Sequence, residues 1–290
     1  MAATDLNALL ATLKQQDWPV LGSSLTEMAK QATRGERASP ADVADIVLRD
    51  PFFTMNVLRA IGSCKRGRLS SEISTIENAV MMLGAKPFFL RFGQLTRIED
   101  QLKTHPRALL QIRRACSRAH HAACQARDWA IQRQDMESEE PYIAAMFCDI
   151  AEACLCVLAP KVAAKLSEAM RVEPDSTGEQ QNAVIGCDLI SLRNLIARSF
   201  LWPEVIRDLI SDNESRPRAQ AVQLAAAMSR HAEQGWYGEA LTVDMNTLAP
   251  LLHLNLDETM QRIHKTAVLA ARAWRYYLAP PAARWLPLLP

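Results

Sequence analysis

From Arg107 to Gln134 the chain runs without a glycine or a proline, directly after Pro106. Proline is tolerated in the first turn of a helix, where its missing N–H would have no intrahelical acceptor. Pro106 therefore reads as the start of one long helix reaching about Gln134. The same punctuation recurs along the sequence. Ser39-Pro40 and Asp50-Pro51 each place a capping residue before a proline, which predicts two short helices, Asp42–Arg49 and Phe52–Ile61, meeting at a corner. Leu6, Leu9, Leu10 and Leu13 follow helical spacing behind a Thr4 or Asp5 cap, and Trp18-Pro19 stops that element. Ser74 or Thr75 caps Ile76–Leu83, with Gly84 as its left-handed end. Ser138-Glu-Glu-Pro141 opens a helix running to Pro160, and Asp188 caps Leu189–Phe200. Trp202-Pro203 separates that helix from Glu204–Ser211. Pro217 begins a helix to about Gln234, and Asp257 caps a last one ending near Leu278. Alternating β-branched runs are missing, and Thr242-Val-Asp-Met is too short for a strand. The expectation is an all-α chain.

Composition narrows the function classes. Apolar residues make up 49% of the 290, and 33 basic residues stand against 32 acidic ones. Such a chain can bury a core, which argues against wholesale disorder. Its near-zero net charge gives no bulk attraction to nucleic acid or to an anionic membrane. Seven cysteines, at 64, 116, 124, 148, 154, 156 and 187, form an odd set without a CxxC pair, so reduced thiols in a cytoplasmic protein are expected. No basic, apolar leader opens the sequence, and no apolar run approaches the roughly 20 residues that span a bilayer. Three segments are expected: an N-terminal helix in 1–18, a main domain in 19–214, and a helical extension in 215–290 that ends in a proline-rich tail.

The order of motifs resembles a known family. Trp18-Pro-Val-Leu21 is followed by Asp42-Val-Ala-Asp-Ile-Val-Leu-Arg-Asp-Pro51 and Val57-Leu-Arg-Ala-Ile-Gly-Ser63. Ile73-Ser-Thr-Ile-Glu-Asn-Ala-Val-Met-Met-Leu-Gly84 comes next. Ala144-Ala-Met-Phe-Cys-Asp-Ile-Ala-Glu-Ala-Cys-Leu155, Ile185-Gly-Cys-Asp-Leu-Ile-Ser-Leu-Arg-Asn-Leu195, Trp202-Pro-Glu-Val-Ile206 and Ser211-Asp-Asn213 complete the succession. It resembles the HDOD domain, a helical relative of the HD-type metal-dependent phosphohydrolases, over roughly Pro19 to Glu214. The resemblance implies a compact multi-helix bundle, with the residues after Pro217 as an extension. It also implies a regulatory module without catalytic residues, cofactor or metal.

The departures from the catalytic relatives carry that implication. Cys148 stands where the histidine of the His-Asp doublet would be, followed by Asp149. The upstream ligand position falls near Arg118, with His120 and His121 close but out of register. Later ligand positions read Asp188 and Asp212-Asn213. Cys148, Asp149, His120, His121 and Asp188 are the metal-ligand candidates, since thiolate, carboxylate and imidazole all bind zinc. Against that stands a plainer reading: Cys148 as a buried core thiol, and the two histidines, about 100° apart on the helix, as one partly buried and one solvated.

Arg107, Arg114, Arg118 and His121 recur at helical spacing and form a candidate stripe for an anionic small ligand, a nucleotide or a partner helix. A solvated, ion-paired face is the alternative. Lys65-Arg-Gly-Arg68 is a basic loop without interleaved aromatics. Phe88, Phe89 and Phe92, with Trp202, Trp236 and Trp274, read as core, while Trp285 in the tail is the better candidate for an intermolecular contact. The expected function is non-catalytic signal transduction through a protein partner or small ligand, with nucleic acid and membrane not expected. The rivals are an HD phosphohydrolase with an atypical ligand set and a nucleotide- or nucleic-acid-binding regulator.

Overall fold

The computed structural model describes residues 17–63, 72–172, 177–211 and 216–286. The leucine spacing of residues 6–13, the 65–68 basic loop and Asp212-Asn213 lie outside these. The described residues form seventeen α-helices and no strand. In chain order, α1 is Gly22–Ala32, α2 Pro40–Leu48, α3 Pro51–Gly62, α4 Ile76–Leu83, α5 Ala85–Phe92 and α6 Ile98–Gln101. The long α7 (Pro106–Gln132) precedes α8 (Glu139–Phe147), α9 (Ile150–Leu158), α10 (Pro160–Val172), α11 (Thr177–Ile185) and α12 (Leu189–Ser199). Then come α13 (Glu204–Leu209), α14 (Pro217–Gln234), α15 (Glu239–Leu252), α16 (Leu256–Ala271) and α17 (Trp274–Tyr277). Two compact units divide the chain: one holds residues up to Ile112 and Asp149–Pro203, the other Arg113–Cys148 and everything from Glu204 onward.

In the first unit the buried carboxylate of Asp50 ties the motifs together. Its Oδ1 accepts from the Phe52 and Phe53 N–H groups at 3.0 and 3.2 Å, capping α3. Its Oδ2 accepts from Leu21 N–H at 2.7 Å and from the Ser24 hydroxyl at 2.6 Å. Asn56 reinforces the junction, accepting from Trp18 N–H at 2.9 Å and donating to Trp18 O at 2.8 Å. The Trp18 ring stacks on Phe52 at 5.6 Å and meets Phe200 at 6.2 Å. Phe53, Phe88 and Phe92 form a second aromatic cluster with centroids 4.7–6.4 Å apart. Gly84 ends α4 at φ 78°, as expected of a residue that must be left-handed.

Close approach fixes Gly62. A Cβ there would lie 2.6 Å from Leu201 O and 2.8 Å from Leu201 Cβ. Gly62→Ala is expected to lower stability by about 1–3 kcal/mol, the range for overpacking. Gly178→Ala, whose Cβ meets nothing within 4 Å, should stay within about 0.5 kcal/mol of the parent. Thermal unfolding of the two variants side by side checks this.

In the second unit α14 lays an alanine-rich face (Ala219, Ala221, Val222, Ala225, Ala226) into the core, where it packs against α8 and α15. Arg218 donates to Asp135, Glu140 and the Glu137 carbonyl at 3.1–3.2 Å. Arg262 on α16 donates to Gln132 at 2.8 Å and to Asp128 at 3.1 Å on α7.

Several expectations need correction. The helix expected from Ser138 to Pro160 is two, α8 and α9, because Asp149 leaves helical geometry at φ −103°, ψ 14°. Thr242–Met245, too short for a strand, is helical inside α15, in keeping with the all-α expectation. The last long helix is capped by Asn255, not Asp257: Asn255 Oδ1 accepts from Glu258 N–H at 2.9 Å while Glu258 accepts from Asn255 N–H at 3.0 Å, a reciprocal capping box. It stops at Ala271 rather than near Leu278. Trp274 is 48% exposed, not core, because the short α17 turns Tyr276 and Tyr277 inward instead.

Candidate functional site

The residues proposed from sequence are best followed along α7. Arg107 and Arg114 are exposed. Arg118 is different: its guanidinium donates to Glu233 at 2.9 Å, and its side chain is only 14% exposed. His121 is buried outright. The stripe thus passes from solvent into the core instead of running along one open face. The helical spacing was sound, but α7 is covered on this side by elements far along the chain.

The two histidines are held by local partners. His120 Nδ1 lies 3.0 Å from the Tyr142 hydroxyl, its Nε2 lies 3.6 Å from Cys124 Sγ, and its ring stands 5.5 Å from that of Tyr277. His121 Nε2 accepts from the Gln125 amide at 3.1 Å, and the same amide donates to Ile263 O at 2.9 Å. The proton of neutral His121 therefore sits on Nδ1, which has no hydrogen-bond partner among the described residues. Burial pulls the His121 pKa down to about 4, because the imidazolium would lose its hydration. Trp236 completes the cluster, 6.1 Å from His121 and 5.1 Å from His264.

At the α8–α9 break, Cys148 is buried, its thiol 3.5 Å from Ala144 O. Asp149 takes the N-cap position of α9. Asp188 caps α12, accepting from Ser191 N–H at 2.6 Å and from the Ser191 hydroxyl at 2.9 Å. These bonds hold its carboxyl below the usual carboxylate range. Among the described residues, no three His, Cys, Asp or Glu side chains are grouped so as to hold a metal ion. The donor set does not fit the bimetal centre of a catalytic HD enzyme, which needs several ligands converging from separate helices.

The sequence reading missed a recess in the second unit. Residues of α16, α17 and the following return segment line an open recess of about 830 Å³, among them Val268, Ala271, Trp274, Leu278, Pro281 and Arg284. Trp285 is half exposed beside it, with the Arg284 guanidinium 4.7 Å above its ring. The signal available was charge: residues 259–290 contain no aspartate or glutamate.

The family model of the HDOD domain matches residues 19–215. The chain belongs to the HDOD family. Solved structures agree on the fold. The MmoQ response regulator from Methylococcus capsulatus strain Bath is 15% identical with a TM-score of 0.66, covering 86% of this chain and 98% of that one. A virulence factor from Campylobacter jejuni subsp. jejuni is 15% identical with a TM-score of 0.65, covering 91% and 99%. An HDOD domain protein of unknown function from Geobacter sulfurreducens is 17% identical with a TM-score of 0.50, covering 94% and 99%. No curated protein matches the chain. The HDOD assignment explains the motif order physically. Trp18-Pro19 and Asp50-Pro51 meet through Asp50 and Asn56, and the helices between them add Met28, Val43 and Val47 to the same core.

Proposed function

We propose that this HDOD chain is a non-catalytic regulatory module that works by binding a protein partner. One observation carries the reading: among the described residues, Cys148 and Asp188, at positions of the catalytic relatives' metal ligands, serve the fold. Cys148 is packed and bonded within its own helix, Asp188 is a helix cap, and the nearby His121 is buried and neutral. A buried neutral imidazole already accepting from Gln125 is not available to a metal without dismantling the core around Trp236. The likeness in fold to the MmoQ response regulator supports a place in signal transduction.

The test is turnover. Purified full-length protein loaded with manganese or zinc is expected to release no phosphate or nitrophenol above the metal-only blank from bis-(p-nitrophenyl) phosphate or cyclic di-GMP. Hydrolysis that disappears in Asp149→Ala, with the far-UV circular dichroism unchanged, would overturn the reading.

A further inference from the structure

We propose that the recess formed by α16, α17 and the Pro280–Trp285 return is the docking site for an acidic amphipathic helix of a protein partner. The proposal rests on the regulatory reading and names the chemistry of its partner. The recess is preformed. Trp236, itself buried, donates its indole N–H to Ala282 O at 3.1 Å and pins the return segment. Leu278 sits in the left-handed region at φ 51°, a conformation that disfavours any residue with a Cβ. That corner leaves the Leu278 side chain 59% exposed beside Trp274.

Apolar residues that could have been buried are thus presented around an open trough, and its volume of about 830 Å³ accommodates several aliphatic side chains. A helix supplies such anchors at i, i+3 or i+4, and i+7. A bilayer, by contrast, is entered by protruding apolar groups rather than received in a hollow.

Charge decides the sign of the partner. Lys265, Arg272, Arg275 and Arg284 are all exposed, and none enters an ion pair among the described residues. Arg275 lies 5.5 Å from the Trp274 ring centroid and Arg284 lies over Trp285. Tryptophan and arginine, in a stretch that has no aspartate or glutamate from residue 259 to 290, are residue types enriched at interface hot spots. A partner carrying glutamates beside its apolar anchors satisfies both features.

The experiment uses the full-length protein and a fluorescein-labelled 14-residue peptide of leucine and glutamate in amphipathic helical register. Its control is the same peptide with lysine for glutamate, and the readout is anisotropy. The acidic peptide is expected to bind at least tenfold more tightly than the lysine peptide. Leu278→Asp and Arg284→Glu, both at exposed positions, should each weaken it at least fivefold. Equal binding of the two peptides, or parental affinity in both variants, overturns the proposal. So does a tryptophan blue shift on vesicles of 3:1 phosphatidylcholine and phosphatidylglycerol without peptide binding, which assigns the face to a membrane. A concentration-dependent dimer abolished by Leu278→Asp overturns it in favour of a second copy. A tenfold gain in peptide affinity when the chain is ended at Leu286 overturns it in favour of the chain's own last four residues. Loss of peptide binding leaves the turnover result untouched, and the reverse holds, so the two readings fail separately.

Discussion

Asp50→Ala is expected to lower the unfolding free energy by about 4 kcal/mol, because it strands buried donors that water cannot reach. Three backbone N–H groups and the Ser24 hydroxyl converge on this one carboxylate. Each unsatisfied buried donor costs about 1–3 kcal/mol, partly relieved by local relaxation. Loss of the α3 cap alone accounts for about 1–2 kcal/mol. Asp50→Asn should cost about half as much: its carbonyl still caps Phe52 and Phe53, while its NH₂ faces the Leu21 N–H. Ser24→Ala, which removes one hydrogen bond, should cost about 1 kcal/mol. Urea unfolding of the three variants orders them. An Asp50→Ala loss no larger than that of Ser24→Ala would remove Asp50 from the centre of the first unit.

The second large effect is a dependence on pH. The His121 pKa falls from 6.5 to about 4 on folding, by burial. Between those values the unfolded chain binds a proton that the folded chain refuses. Stability from this site is therefore complete above pH 6.5 and is lost as pH falls toward 4, by about 3 kcal/mol in all. Charging the ring would also turn a second donor toward the Gln125 amide, which already donates to it.

Asp50 acts with the opposite sign. Burial raises its carboxyl from 3.8 to about 6, although its four hydrogen bonds pull the other way. The folded chain thus takes up that proton first, and lowering the pH from 6 to 3.8 adds stability. A wild-type profile alone blends the two. The measurement is the difference between wild type and His121→Leu, in which the Asp50 contribution cancels. That difference should grow by about 3 kcal/mol from pH 7 to pH 4, with the leucine variant the less acid-sensitive. A flat difference would mean that His121 is hydrated in the folded chain.

What the sequence made readable was local. Asp50-Pro51, Gly84, Asp188 and Pro217 act within a few residues of themselves, through a missing N–H, a positive φ or a capping oxygen. Each stands at its expected boundary in the structure. The break at Cys148-Asp149 escaped because no glycine or proline marks it. The same is true of Ala271, where only a turn at Arg272-Ala273 separates α16 from α17. The arginine stripe shows the limit most plainly. Spacing places Arg118 and His121 on one side of α7, but whether that side meets water depends on Glu233 and Trp236, more than 100 residues later. The apolar recess is harder still: its lining falls within residues 268–284, but only the corner at Leu278 folds the return segment back beside α16.

The interleaving of the two units bears on how the chain acquires its structure during synthesis. The HDOD match ends at residue 215, whereas the second unit combines Arg113–Cys148 with everything after Glu204. When the family-defining stretch has just been made, α8, whose residues Pro141–Phe147 are all buried in the finished fold, still lacks α14, against which it packs. That surface stays uncovered until the C-terminal helices follow. The Arg113–Cys148 stretch of the HDOD segment is thus a late-closing part of the fold, dependent on long-range contacts that form slowly and leave sticky surface in the interval.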